Sequence, residues 1–404
     1  MGRALGGCRD QVKTELRPSR VARWTDRTQS GYLGPLRLET DLADGVITSE
    51  GETGTTGGGL RGLAYPLGEP PGPGEAVGAA PGVLWMRLPL PMALNHINVY
   101  AIEDGEGWTI VDTGIRTPES VEAWEAALDG PLGGRPVTRV ICTHMHPDHI
   151  GLAGWLCERF DAPLLMSHLE YVTGRMLVSD TGPAPEDGVR FFRAAGWPEE
   201  RLNRYRQTYG MFAKGVAPLP AGYRRLSAGD TLSIGGQDWS IVVGNGHSPE
   251  HVCLWRKSDG VFIAGDQILP RISSNISVWP TEPLADPLAD WLKSLDRLGE
   301  LLPAETFVLP GHGEPFTGVL PRIEALKRGH AVSLKRLART LRTPSRAIDV
   351  FPALFARPVG DGLLGMATGE AIAHLNHLEA QGKARRERHA DGVDWWTTLE
   401  TEPA

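Results

Sequence analysis

Thr143-His144-Met145-His146-Pro147-Asp148-His149-Ile150-Gly151 follows the apolar run Val140-Ile141-Cys142, and this junction decides how the chain folds. Three imidazoles and a carboxylate crowd into the six residues from His144 to His149. A β-type run that stops at such a turn delivers its ligands at the end of a strand. Neutral imidazole is a good zinc ligand, and a carboxylate beside it suits a hard or borderline divalent ion. A single His-x-His arises by accident, and a lone histidine is more often structural than ligating. A cluster this dense at a strand end points to metal.

Outward from the cluster, single Asp or His residues recur at turns after apolar runs. Ile241-Val242-Val243 leads into Gly244-Asn245-Gly246-His247-Ser248-Pro249-Glu250-His251, and Val261-Phe262-Ile263-Ala264 leads into Gly265-Asp266. Phe307-Val308-Leu309 leads into Pro310-Gly311-His312-Gly313, and Trp108-Thr109-Ile110-Val111 into Asp112-Thr113-Gly114. Each strand-like run ends close to a glycine, with one Asp or His displayed on the loop, where a rigid sheet presents functional groups. One such turn is ordinary; the ordered series forms a signature.

In order and spacing, Asp112, the His144/His146/Asp148/His149 cluster, His247, Asp266 and His312 resemble the motifs of the metallo-β-lactamase-fold hydrolase superfamily, which includes glyoxalase II, RNase Z and many esterases and lactonases. The resemblance runs from roughly Val83 to Gly318 and implies an α/β fold, the αββα sandwich of that family. It also implies two divalent metal ions, one on His144, His146 and His247 and the other on Asp148, His149 and His312, with Asp266 bridging. Asp112, at a strand end, is then expected to fix a histidine tautomer. His251 is either a similar supporting group or an ordinary turn histidine. Zinc is the expected metal, with iron or manganese as alternatives.

Such a pair of ions explains the residue types. Two cations about 3.5–4 Å apart share a water, lower its pKa towards 7 and hold it as hydroxide, while one ion polarises the oxygen under attack. Asp148 lies between ligand histidines, so it is expected both to bind the second metal and to orient the nucleophile. It is the expected catalytic residue.

At 404 residues, with 41% hydrophobic residues and a net charge of −8, the chain has the length for two domains or one large domain with an appendage. Its mean hydropathy of −0.21 is ordinary for a globular protein. No apolar stretch approaches the roughly 18–20 residues that span a bilayer. The start, Met1 to Cys8, lacks the apolar stretch of an export signal. Cys8, Cys142, Cys157 and Cys253 are too few and too scattered for a disulfide framework. A cytoplasmic protein without membrane association is expected. The acidic balance gives no blanket attraction to nucleic acid.

Residues 1–80 read as a poorly ordered N-terminal extension, Gly- and Thr-rich to about residue 60, followed by a Pro/Gly arm from Pro66 to Pro81. Residues 81–320 carry the catalytic domain, and residues 321–404 an amphipathic helix and a small C-terminal domain. Helical spacing is expected over Pro118–Leu128 and Leu152–Phe160. The segment from His168 to Arg225 is a helical insertion rich in aromatics, among them Tyr171, Phe191, Phe192, Trp197 and Tyr205. It is either a lid over the metals or a helical pair with its own small core, the second being favoured. After Asp266 the chain must run close to the metals, so Arg271, Ser274 and Asn275 are candidate substrate contacts.

Arg322–Arg342 places Ile323, Leu326, Leu334, Leu337 and Leu341 on one helical face. Lys327, Arg328, Lys335, Arg336, Arg339 and Arg342 surround the remainder, and a charge run of this kind is usually a solvated face. The tail then reads helix, strand, Asp391-Gly392 turn, strand. That order resembles the C-terminal winged-helix domain of lactamase-beta-like proteins, a subgroup containing endoribonucleases and acyl-carrier thioesterases.

The leading expectation is a dinuclear metal-dependent hydrolase that attacks an ester-like bond (thioester, lactone or related acyl group) in a small-molecule substrate. A metal-dependent endoribonuclease or phosphodiesterase comes second, with the basic helix tracking a backbone; nucleic acid is thus the less favoured partner. A mononuclear iron sulfur dioxygenase, which shares several ligands, comes third, and a DNA-binding regulator last, because it leaves the full ligand set unexplained. True β-lactamases of this fold generally lack an Asp where Asp266 stands, and oxygen-reducing di-iron enzymes depart from the cluster, so neither activity is expected. The tail is expected to dock near the cleft mouth; a homodimer contact is its other use.

Overall fold

Alternation along the strands sorts the apolar side chains into separate layers. Val83 and Trp85 point to one face of their strand while Met86 and Leu88 point to the other. The structure, a computed structural model, describes residues 62–399. The expected disorder of residues 1 to about 60 lies outside the described residues.

The first sheet has seven strands in sequence order. β1 (Val77–Ala80), β2 (Val83–Pro89), β3 (His96–Asp104) and β4 (Gly107–Val111) are antiparallel neighbours. β5 (Val137–Ile141), β6 (Leu164–Met166) and β7 (Arg224–Arg225) continue in parallel. The second sheet comprises β8 (Thr231–Ile234), β9 (Gln237–Gly244), β10 (His251–Arg256), β11 (Val261–Gly265), β12 (Phe307–Pro310) and β13 (Phe316–Thr317). Its order is β13-β12-β11-β10-β9-β8, with β11 and β12 parallel. A separate hairpin pairs β14 (Ala384–Arg388) with β15 (Asp394–Thr398).

The inner faces meet in a core of Trp85, Tyr100, Val111 and Ile141 from the first sheet and Trp239, Leu254, Ile263 and Leu309 from the second. The outer face of the first sheet is covered by α1 (Pro118–Asp129) and α3 (Ala153–Phe160), through Trp124, Leu128 and Leu156. α2 (Pro147–Ile150) is a single turn between them. The outer face of the second sheet is covered by α7 (Pro287–Leu301) and α8 (Val319–Thr340), through Trp291, Leu295, Ile323 and Leu337. This is the αββα sandwich. Local signals set the helix starts: Thr117 accepts from Ser120 N at 3.2 Å ahead of Pro118, and Asp286 accepts from Ala289 N at 3.0 Å ahead of Pro287.

α4 (His168–Ser179), α5 (Glu186–Ala194) and α6 (Glu199–Thr208) form the insertion. Val189, Phe192 and Leu202 make a small core there, with Phe191, Trp197 and Tyr205 packed on it. Those aromatics pack a small core of their own. α9 (Phe351–Leu354) and α10 (Leu364–Ala380) complete the C-terminal unit with the hairpin.

One segment differs from the sequence expectation. The Pro/Gly arm is not loose: β1 is an edge strand of the first sheet, Pro73 bridges to Arg87, and Ala64 bridges to Thr317. Proline tolerates an edge, where its missing N–H costs no ladder bond. The segment from 321 packs onto the sandwich without a gap in the core. α8 runs unbroken across that point, and Leu354, Leu375, Leu378 and Trp396 share one buried cluster with Phe262, Trp291 and Leu298. Of the adjacent tryptophans in β15, Trp396 is buried at 2% exposure, while Trp395 is partly exposed and stacks on His389.

Candidate metal centre

The candidate ligands converge where strands of both sheets end. Asp112 follows β4, His144 follows β5, His247 follows β9, Asp266 follows β11 and His312 follows β12. The quoted cluster is more than a turn. Pro147 starts α2, so Asp148 and His149 sit on a helical turn, with His146 as its cap.

His144 Nε2, His146 Nδ1 and His247 Nε2 form a triangle with edges of 2.8, 3.1 and 3.2 Å. A tetrahedral ion with bonds of 2.0–2.1 Å separates its nitrogens by about 3.3 Å, so the triangle fits one divalent ion. In a second group, His312 Nε2 lies 3.3 Å from Asp148 Oδ2, and His149 Nε2 lies 3.7 Å from the same oxygen. Asp266 stands between the groups, with Oδ2 3.6 Å from His247 and 3.5 Å from His312, and Oδ1 3.5 Å from His149. His149 Nε2 and Asp266 Oδ1 are buried and have no hydrogen-bond partner among the described residues. Buried polar atoms are almost always paired, and a cation would supply what these two lack. Gly311 allows the close approach, since a Cβ there would lie 2.2 Å from Asp266 Oδ1.

Supporting bonds fix which ring nitrogen faces the centre. Asp112 Oδ2 lies 2.8 Å from His149 Nδ1, and Asp112 also takes Thr143 N at 2.8 Å. Asp112 adopts φ 61°, a left-handed conformation uncommon outside glycine, which aims its carboxylate back under the cluster. Thr143 Oγ1 lies 3.0 Å from His144 Nδ1, and His312 Nδ1 donates to His96 O at 2.8 Å. His247 Nδ1 donates to Asn275 O at 2.8 Å. His251 lies beside the cluster: its Nε2 accepts from Asp266 N at 3.0 Å, and its ring stacks on His144.

The electrostatics differ between the groups. Burial, then the neighbouring His247, lowers His146 to about 3, and burial with the surrounding imidazoles holds His144 well below its ordinary value. Burial works against the charged form of His312, but Asp266 and Asp148 raise it to about 10. Burial also opposes ionisation of Asp148, yet His149 and His312 lower it to about 2.

The three candidate substrate contacts are otherwise engaged. Arg271 is exposed, pairs with Glu314 at 2.9 Å and lies over Tyr65. Ser274 is buried and donates to Asp266 O. Asn275 holds His247 through its carbonyl, while its side chain reaches Glu370 at 2.7 Å. Sequence reasoning missed Glu170. Its carboxylate is fully buried and accepts from Met145 N at 2.9 Å and Glu250 N at 2.7 Å, tying together the loops that carry His144/His146 and His247. Burial raises it to about 7 against hydrogen bonds from Ser248 and these two amides. In the sequence it looks like any acidic residue in a helix's first turn.

Residues 93–312 match the family model described as metallo-beta-lactamase superfamily. The chain belongs to that superfamily. Residues 334–399 match the metallo-beta-lactamase-like C-terminal domain, so the segment beyond α8's midpoint belongs to this family's architecture. The chain is 40% identical to a beta-lactamase domain protein from Burkholderia ambifaria, with TM-score 0.77, covering 83% of this chain and 98% of that one. The Bacillus subtilis protein named probable metallo-hydrolase YqjP is 28% identical over 74% of this chain and 92% of its own length. The chicken acyl-coenzyme A thioesterase MBLAC2 is 25% identical over 58% of this chain and 79% of its own length. The protein is a superfamily metallo-hydrolase, with His and Asp groups able to hold divalent metal. No helix among the described residues is long and apolar enough to cross a membrane.

Proposed function

We propose that this metallo-hydrolase is dinuclear and cleaves ester-like acyl bonds, thioesters first among them. The observation that carries the proposal is the pair of ligand groups meeting at Asp266, whose two oxygens face histidines of both. His144, His146 and His247 would hold one ion and Asp148, His149 and His312 the other. When bound, two such ions supply Lewis-acid polarisation of a carbonyl oxygen and a nucleophile at neutral pH.

The chain's own residues do the rest. Asp148 stays ionised at neutral pH, and its side chain, 20% exposed, is the most open carboxylate of the centre. It therefore faces incoming water and substrate and holds the attacking water's proton in line. Asp112, Thr143 and the His96 and Asn275 carbonyls keep the imidazoles of His149, His144, His312 and His247 each in one tautomer. Water is kept from the back of the site by His144, His149 and His251, all fully buried.

A small acyl substrate is supported by the thioesterase name of the MBLAC2 relative and by the acidic net charge of −8. Nitrogen-rich donors favour zinc, and iron or manganese is the alternative. Three free, buried thiols, Cys142, Cys157 and Cys253, are consistent with a reducing cytoplasm. The test is a panel of acyl-CoA and acyl-carrier thioesters, lactones, phosphodiesters and RNA, run beside metal analysis of the same sample. Thioester turnover that is lost to chelator and restored by zinc is expected. Cleavage of RNA alone, falling steeply with salt, would replace the acyl hydrolase with an endoribonuclease.

A further inference from the structure

The loop after Asp266 connects the metal centre to the C-terminal unit by hydrogen bonds that no ligand motif contains. His247 Nδ1 donates to Asn275 O, so the proton sits on Nδ1 and Nε2 is left to face His144 and His146. A carbonyl can only accept, which makes this tautomer obligatory. The other end of Asn275 is held from α10. Asn275 Nδ2 donates to Glu370 Oε2 at 2.7 Å, and Ser277 Oγ lies 2.5 Å from Asn275 Oδ1 and 3.1 Å from Met366 O. One residue earlier on α10, Gly369 O accepts from Val278 N at 3.0 Å. A Cβ on Gly369 would lie 2.8 Å from Val278 O and Ser277 Cβ, so only glycine lets the loop lie this close to the helix.

Glu370 is 3% exposed, and no cation is paired with it among the described residues. Burial raises its carboxyl to about 8. A carboxyl group in an apolar helix interface is costly unless it has a task. Its hydrogen-bond partner here is the side chain of the residue whose carbonyl orients a ligand.

We propose that Glu370 is a positioning residue for the metal centre: through Asn275 it fixes the carbonyl that orients His247, so the C-terminal unit completes the His144/His146/His247 group. The proposal rests on the dinuclear reading above. It makes α10 part of the site's construction and gives the C-terminal unit a role independent of any macromolecular partner.

The test is zinc binding by the full chain, measured by competition with a chromophoric chelator, with thermal melting recorded on the same samples. Wild type, Glu370→Ala, Glu370→Gln, Asn275→Ala and the Glu370→Ala/Asn275→Ala pair are compared. Glu370→Ala is expected to weaken one of two zinc equivalents by about 10–100-fold, as loss of a group behind a ligand does, and to leave the other unchanged. Glu370→Gln, whose amide oxygen still accepts from Asn275, should keep near wild-type affinity for both. Asn275→Ala should reproduce Glu370→Ala, and the double variant should be no worse than either. The proposal fails if Glu370→Ala binds both equivalents as wild type does. It also fails if both are lost in parallel with a lowered melting temperature, or if Glu370→Gln is as weak as Glu370→Ala. A wild-type chain that binds no zinc would sink the dinuclear reading itself, an outcome distinct from a failure confined to the variants.

Discussion

The two candidate ligand groups are built differently although Asp266 stands between them. The first is three imidazoles, with His144 and His146 held neutral by burial and by neighbouring imidazoles. Two loops bring it together, and its third member, His247, depends on a segment gripped by α10. The second combines carboxylate with imidazole, and its supports, Asp112 and the His96 carbonyl, belong to the first sheet. One group is assembled across the molecule, and the other is mostly fixed by the sandwich. Damage far from the metals should therefore reach the first group and spare the second.

The largest effect is expected where the groups meet. Asp266→Ala removes the shared carboxylate, so elemental analysis should find less metal than in wild type and turnover should vanish. Loss of metal from one group only would show that Asp266 does not bridge. Asp148→Ala is expected to be more selective. It should lower turnover by about 10²–10⁴-fold while the three-imidazole group keeps its ion. Near wild-type activity in that variant would remove Asp148 from the chemistry.

Glu170→Ala probes the loops themselves. It orphans the Met145 and Glu250 amides, each at a cost of roughly 1–3 kcal/mol, so melting temperature should fall and zinc should loosen in the first group before the second. Equal weakening of both groups would contradict the asymmetry.

The smallest effect concerns Glu370 and pH. Its carboxyl is raised by burial from an ordinary 4.5 to about 8. The folded state therefore holds a proton that the unfolded state releases between these values. The stability it contributes is fully present below about 4.5 and is lost as pH rises through about 8. Glu370→Gln does not titrate, so its melting temperature should gain on wild type as pH rises across that window. A pH-independent difference would mean that the carboxyl is not buried as described.

The difference between the groups also explains what could be read in the sequence. His144, His146, Asp148 and His149 lie at one strand end, and His247, Asp266 and His312 each follow an apolar run, so local pattern was enough to single out these residues, and the resemblance they carry implied the sandwich. Glu170, the Asn275 carbonyl and Glu370 act across 80, 28 and 95 residues respectively. No periodicity encodes a contact at that range. Arg271, Ser274 and Asn275 follow Asp266 closely in the chain, but proximity in the chain does not say where a side chain points, and their polar groups bond Glu314, Asp266 O and Glu370. Near residue 321 the change in charge pattern marks a solvated face of α8, while its apolar face continues the core of the second sheet.

Metal stoichiometry tests the central claim most directly. Elemental analysis of the full chain after metal-replete expression, combined with protein quantified by amino-acid analysis, should give close to two divalent ions per chain, zinc above iron and manganese. One ion or none would contradict the dinuclear centre, and a clear excess of iron would move the chemistry towards a sulfur dioxygenase.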